Sequence, residues 1–172
     1  MIELETGPAE AFEAATAPLF EGAPRFLARL AAARPFRSTA ALFDEARAIA
    51  HAMPRDEQIE LVDAHPRLGA PPGSVSALSF VEQGYDREAA DAAAETERSH
   101  VAAELDRLNA AYEEQFGFRY CVFVAGRPRA ALLPEFEAAL GRAPDAELHR
   151  ALDAVVDIAI DRHAKLSREE AR

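Results

Sequence analysis

Along most of the chain apolar residues recur at spacings of three and four, and single prolines and glycines fall between the periodic stretches. The pattern predicts helices over about 8–20 and 24–33, over about 39–52 behind a Ser38/Thr39 cap signal, and over about 55–65. The segment 66–78, PRLGAPPGSVSAL, carries three prolines and two glycines and predicts a shaped, irregular loop. Helical character resumes at Ser79. After a break near Gly84 a long helix runs to about Phe116, with Val101, Leu105, Leu108, Tyr112 and Phe116 on one stripe and Gly117 as the residue just past its end. FRYCVFVAG, from Phe118, has strand propensity but no strand to pair with, so it is expected as extended chain packed in a helical body. Two helices follow, at about 129–141 with Pro134 as a kink or delayed start, and at about 146–166 after an Asp145 cap.

Composition turns this pattern into a fold class. The chain has 172 residues, 49% of them apolar, with Gly sparse and Trp absent. With Ala dominating the apolar set, that balance favours closely packed helices over a sandwich or barrel. The expectation is all-α: a compact single-domain helical bundle over residues 1–172, with one short extended segment near 118–125. A formal charge of −11 argues against nucleic acid and anionic membrane surfaces as partners, so an anionic ligand must be captured by local arginines. MIELETGPAE has no apolar signal-peptide core, the apolar runs are too short to span a bilayer, and the closing EEAR is not a peroxisomal tripeptide. A soluble, cytoplasmic protein is expected. The one cysteine, Cys121, excludes an internal disulfide and a Cys-based zinc site, and its apolar setting suits core better than nucleophile.

Three positions attract chemistry, each with a plain structural alternative. Leu148, Leu152, Val155, Ala159 and Leu166 form the buried stripe of the last helix, and Arg162 falls on it. Either its stem packs while the guanidinium snorkels out, or it is a recessed bidentate donor for a carboxylate or planar amide. His65 follows Leu61 and Val62 near a helix C-terminus, where the dipole favours imidazolium and desolvation the neutral ring; a pKa close to physiological pH follows, for either a satisfied structural histidine or an acid/base group. Ser79 and Glu82 have the S-x-x-E form of a capping box. The functional alternative keeps Ser79 as cap and turns Glu82 and Gln83 towards a pocket opposite His65, with Arg162 available to an anion. No metal-ligand spacing, phosphate loop or dinucleotide motif is present, and the acid-rich 86–106 reads as a solvated helix face.

Taken in order, HPRLG (65–69), SFVEQ (79–83), LNAAYEEQFGFRYCVFVAGR (108–127) and RHAKL (162–166) resemble the family of 2-oxo-4-hydroxy-4-carboxy-5-ureidoimidazoline (OHCU) decarboxylases of urate degradation, over roughly residues 10–166. The resemblance implies an all-helical homodimer that needs no cofactor and no metal, with urate oxidase and 5-hydroxyisourate hydrolase as pathway neighbours. It implies His65 as catalytic acid/base and Glu82 as the carboxylate that binds and polarises substrate. Pro66, Ser79 and Gln83 would line the site, Arg162 would meet the ligand, and Tyr120, Cys121, Val122, Phe123 and Val124 would offer backbone groups to the heterocycle. The reaction implied is decarboxylation of OHCU to (S)-allantoin. Departures from the family pattern border the pocket: Arg67 where many members have Asp, a shorter loop before Ser79, Gly84-Tyr85 after the Glu-Gln pair, Arg119, and Pro134. They keep two other readings open: a catalytically silent or substrate-shifted binding module, and a helical dimerisation domain.

Overall fold

A computed structural model describes residues 7–87 and 92–170. It is 73% helical without strands among the described residues, and the fold is all-α. Eight α-helices follow in order: α1 Ala9–Thr16, α2 Pro24–Ala32, α3 Thr39–Ala52, α4 Arg55–Asp63, α5 Ala77–Glu82, α6 Ala92–Phe116, α7 Arg129–Ala139 and α8 Pro144–Glu170. Short 3-10 turns occupy Ala17–Leu19, Pro72–Ser74 and Tyr85–Arg87. The acid-rich N-terminus, the end of the EEAR tail and the stretch 88–91 of the acidic face lie outside the described residues.

The chain divides into two compact units, one holding the chain up to His65 and again from Leu148, the other Pro66–Glu147. In the first, α1 to α4 and most of α8 bury Phe12, Phe20, Phe26, Leu30, Leu61, Leu152 and Val155, all at or below 1% exposure. Ser38 caps α3 by accepting the Ala41 N–H at 3.1 Å, as the sequence signal requires. On the surface, Arg25 reaches Asp56 and Glu60 while Arg29 clasps Glu57, so α2 and the acidic first turn of α4 are joined by ion pairs.

The second unit is centred on Tyr112. Its ring meets Phe116, Phe118, Tyr120 and Phe136, and its hydroxyl donates to Glu147 Oε1 at 2.8 Å. Arg142 also donates to Glu147, at 3.0 Å, which accounts for a carboxylate with no exposed surface. The α6 stripe Val101, Leu105, Leu108, Tyr112 and Phe116 is buried as predicted. Gly117 ends the helix at φ +77°, its N–H on the Glu113 carbonyl, a left-handed cap that suits glycine. Residues 118–124 are irregular chain with Tyr120 stacked on Phe136 at 3.7 Å, which agrees with an unpaired extended segment.

Four local expectations are corrected. α5 starts at Ala77, because Ser76 rather than Ser79 supplies the cap. The break after Gly84 holds a 3-10 turn, and α6 is described from Ala92. α7 starts directly after Pro128 and runs through Pro134, so its start is not delayed. α8 begins at Pro144, which puts Asp145 inside the first turn rather than at the cap; proline's fixed φ and missing N–H suit that first position.

Candidate active site

His65 stands just past the end of α4. Its N–H bonds the Val62 carbonyl at 3.1 Å, its Nδ1 lies 3.3 Å from the Leu61 carbonyl, and the residue is 4% exposed. Burial dominates its ionisation and pushes the imidazole down to about 4; the Arg162 charge acts in the same direction and the Glu21 charge against it. The sequence expectation of a pKa near physiological pH is therefore overturned. The helix end cannot offset the loss of water around a charged ring. At neutral pH His65 is a neutral imidazole.

Arg162 does not snorkel. It is 1% exposed, with Nη2 donating to Glu21 Oε1 at 2.8 Å and Nη1 to the Pro18 carbonyl at 2.9 Å. Glu21 reaches it from a tight turn in which Glu21 itself has φ +51° and Gly22 φ +77°. A non-glycine residue held there is strained, and such strain persists where surrounding contacts over-determine it. The first unit thus brings together His65, Arg162 and Glu21. Sequence reading missed Glu21, although an arginine on a buried stripe demands a buried anion somewhere, and an acid beside a glycine between apolar runs was a candidate.

The second unit positions the rest. Glu82 is the last residue of α5 and half-buried; Ser79, in the interior of α5, is buried. No Ser79/Glu82 capping box forms, since Ser76 holds that end of the helix. Gln83 is buried and spends both ends of its amide on the loop that begins at Pro66: Oε1 accepts from the Gly69 N–H at 2.7 Å and Nε2 donates to the Arg67 carbonyl at 3.2 Å. Asn109 donates to the Leu68 carbonyl at 2.9 Å, the Tyr85 hydroxyl to the Ala70 carbonyl at 2.5 Å, and the Arg67 side chain forms a fork on Glu113. Each residue from Arg67 to Ala70 therefore has a backbone group gripped by a side chain. Gly69 completes the fit. At φ +84° an added Cβ would stand 2.8 Å from Leu105 Cδ1.

Tyr120, Cys121, Val122 and Val124 are buried and Phe123 half-buried. The carbonyls of Phe123 and Val124 already accept from Arg127, at 2.7 and 3.0 Å. The two departures Arg67 and Tyr85 have the loop-holding roles just given. Among the described residues no group of three His, Cys, Asp or Glu side chains is placed to hold a metal ion. No helix among them is long and apolar enough to cross a membrane.

Comparisons with known proteins agree with one another. Residues 5–164 match the family model described as OHCU decarboxylase. The 2-oxo-4-hydroxy-4-carboxy-5-ureidoimidazoline decarboxylase of Haloferax volcanii is 29% identical over 153 residues, covering 87% of this chain and 85% of its own length. The uric acid degradation bifunctional protein of Bacillus sp. (strain TB-90) is 24% identical over 151 residues, and there the chain spans only 29% of the relative's length. A crystal structure of OHCU decarboxylase in the presence of (S)-allantoin superposes with a TM-score of 0.67 at 24% identity, covering 93% of this chain and 98% of the other. One of (S)-allantoin synthase gives 0.62 at 20% identity, covering 93% and 51%. At these identities the structural likenesses establish the fold.

Proposed function

The chain belongs to the OHCU decarboxylase family and is on that footing a decarboxylase, and we propose that its substrate is OHCU itself, converted without a cofactor to (S)-allantoin. The observation that carries the mechanism is the buried, neutral His65 beside the Arg162–Glu21 pair. A neutral imidazole can accept a proton at physiological pH and return it, which is the requirement of an acid/base shuttle.

OHCU carries its own electron sink, a C=N bond next to the carbon that bears the hydroxyl and carboxylate. When CO2 leaves, the pair from the broken C–C bond forms a C=C bond while the C=N π pair moves to nitrogen, which takes a proton from solvent. His65 then accepts the hydroxyl proton as the C=O bond forms, and delivers it to the neighbouring carbon, the new stereocentre. Glu82 orients and polarises the substrate through its hydroxyl and ureido groups, and Arg162 supplies N–H donors to a planar amide or carboxylate. Pro66, Ser79 and the Tyr120–Val124 backbone line the site in this reading. Gln83 has its part through the Arg67–Ala70 loop, since both ends of its amide lie there.

The reading carries with it a cytoplasmic homodimer supplied by urate oxidase and 5-hydroxyisourate hydrolase. Those two enzymes provide the test. With urate as starting material, circular dichroism should show rapid (S)-allantoin formation in the presence of this chain, and His65→Ala and Glu82→Ala should each lose most of the acceleration while keeping a native far-UV spectrum. Slow racemic product from the folded wild type would overturn the substrate assignment, and a near-normal rate in either folded variant would overturn that residue's role.

A further inference from the structure

Arg162 is the largest fully buried side chain among the described residues, and the turn that encloses its guanidinium is built under strain. After Ala17–Leu19 the chain reverses, with the Phe20 and Gly22 N–H groups both on the Ala17 carbonyl, at 3.2 and 2.9 Å. Phe20 anchors the reversal: it is wholly buried, its ring 4.7 Å from that of Phe26. The Pro18 and Leu19 carbonyls accept from Arg162 Nη1 at 2.9 and 3.5 Å, and Glu21 accepts from Nη2 at 2.8 Å.

The carbonyls supply acceptors, and the Glu21 carboxylate adds a full negative charge. It is carried at φ +51°, a conformation that glycine adopts without strain and glutamate does not. The result is an ion pair without net charge, its two side chains 1% and 14% exposed. The same two charges oppose each other at the His65 ring, where Arg162 disfavours a proton and Glu21 favours one.

We propose that Glu21 is a positioning residue for the decarboxylation: by orienting Arg162 and cancelling its charge, it commits that arginine to a neutral carbonyl of the substrate rather than to the carboxylate that leaves. The assignment rests on the decarboxylase reading given above and chooses between the two ligands open to Arg162 there. As CO2 departs, the pair of the broken C–C bond passes into the C=C bond and the C=N pair moves to nitrogen, so negative charge drains out of the carboxylate. A cation held on that carboxylate would stabilise the ground state more than the transition state and slow the step. With its charge cancelled, Arg162 keeps the planar N–H geometry that suits a ureido or ring carbonyl. The cancellation also leaves His65 better able to take the hydroxyl proton.

Two variants separate charge from shape. Glu21→Gln keeps the length and an acceptor oxygen but removes the charge; Glu21→Asp keeps the charge and draws it back by one methylene. In Glu21→Gln, KM for OHCU should fall about threefold and kcat about tenfold, because the anionic substrate is held more tightly and reacts more slowly. Glu21→Asp should lie between wild type and Glu21→Gln in both constants. A purely structural role gives the opposite order, Glu21→Asp the worse of the two and KM raised; that result would overturn the proposal. If Glu21→Gln does not fold by far-UV circular dichroism, the sign of the KM change in Glu21→Asp decides, a fall being expected and a rise overturning it.

A second arm needs no turnover. Isothermal titration calorimetry compares N-carbamoylglycine, a stable ureido carboxylate, with N-carbamoylglycinamide, its neutral amide. The preference for the anion should rise about tenfold from wild type to Glu21→Gln, with Glu21→Asp again between them. The same preference in wild type and both variants, or binding of neither probe in any of them, overturns the proposal. An enzyme active on OHCU whose variants show no such change removes the role of Glu21 and leaves the decarboxylase reading standing. A wild type inert towards OHCU whose variants still change anion preference removes the substrate assignment and leaves the charge-cancelling role of Glu21.

Discussion

The depressed pKa of His65 fixes how stability responds to acid. The folded imidazole titrates at about 4 against about 6.5 for an unfolded histidine, so between these values the unfolded chain binds more protons than the folded one. Stability from this group is complete above pH 6.5 and is lost as pH falls towards 4. Linkage makes the loss about 2 kcal/mol at pH 5 and about 3 kcal/mol at pH 4, a large share of the total for a domain of this size. Asp56 and Glu57, held below the usual carboxylate range by hydrogen bonds from Arg25 and Arg29, lose their ion pairs only at lower pH. The perturbation that isolates His65 is His65→Gln, which has no titrating ring. Urea denaturation of both proteins at pH 7.5 and pH 5.0 measures the term, since contributions common to the two cancel. Wild type should lose about 2 kcal/mol more than the variant on this step. Equal losses would refute the reasoning, because they would mean that His65 can take up a proton without leaving its buried position.

Glu21→Ala strands the guanidinium of Arg162 in the interior; with two carbonyl contacts remaining and Glu21 itself 14% exposed, the cost should be about 3 kcal/mol in chemical denaturation, and under 1 kcal/mol would count against a buried ion pair. Gly69→Ala combines a strained φ with a contact on Leu105 and should lower stability by about 1–3 kcal/mol and reduce turnover through the loop; a thermal midpoint equal to wild type would show that the loop relaxes freely. Tyr112→Phe removes a donor from the fully buried Glu147 while Arg142 remains, so urea denaturation should show a loss of about 1–2 kcal/mol, and no loss would mean that the carboxylate is satisfied without the tyrosine hydroxyl.

What the sequence makes legible is what local rules determine. α3 was predicted to the residue because a serine cap opens it and Met53-Pro54 closes it. The start of α5 was misplaced because Ser76 and Ser79 both offer a hydroxyl three residues ahead of a helical N–H, and only the backbone shows which one is used. The same competition misled the reading of Glu82, which a capping box would have tied to the start of the helix and which instead closes its end. Pro134 reads on local grounds as a kink or a delayed start, and α7 begins at the Pro128 boundary and continues past it, so the start is not delayed.

The site is less legible than the fold because its electrostatics are assembled from distant parts of the chain. His65, Arg162 and Gln83 were each visible as candidates. What could not be seen is what each one touches, and in two cases the partner changes the chemistry. A histidine at a helix end reads as a group poised near neutrality, but enclosure, together with Arg162 from the far end of the chain, leaves it neutral over the whole physiological range. A glutamine after the Glu82 carboxylate reads as a residue lining the site, and the structure adds that its Oε1 and Nε2 each hold the loop that follows His65. Side chains that hold a loop by its backbone leave no periodic mark in a sequence, whereas the glycine they require does. Gly69 is thus the most informative residue of HPRLG for the geometry of the site: with φ +84° and Leu105 against it, the loop has one path, and Gln83, Asn109 and Tyr85 are placed to grip that path alone.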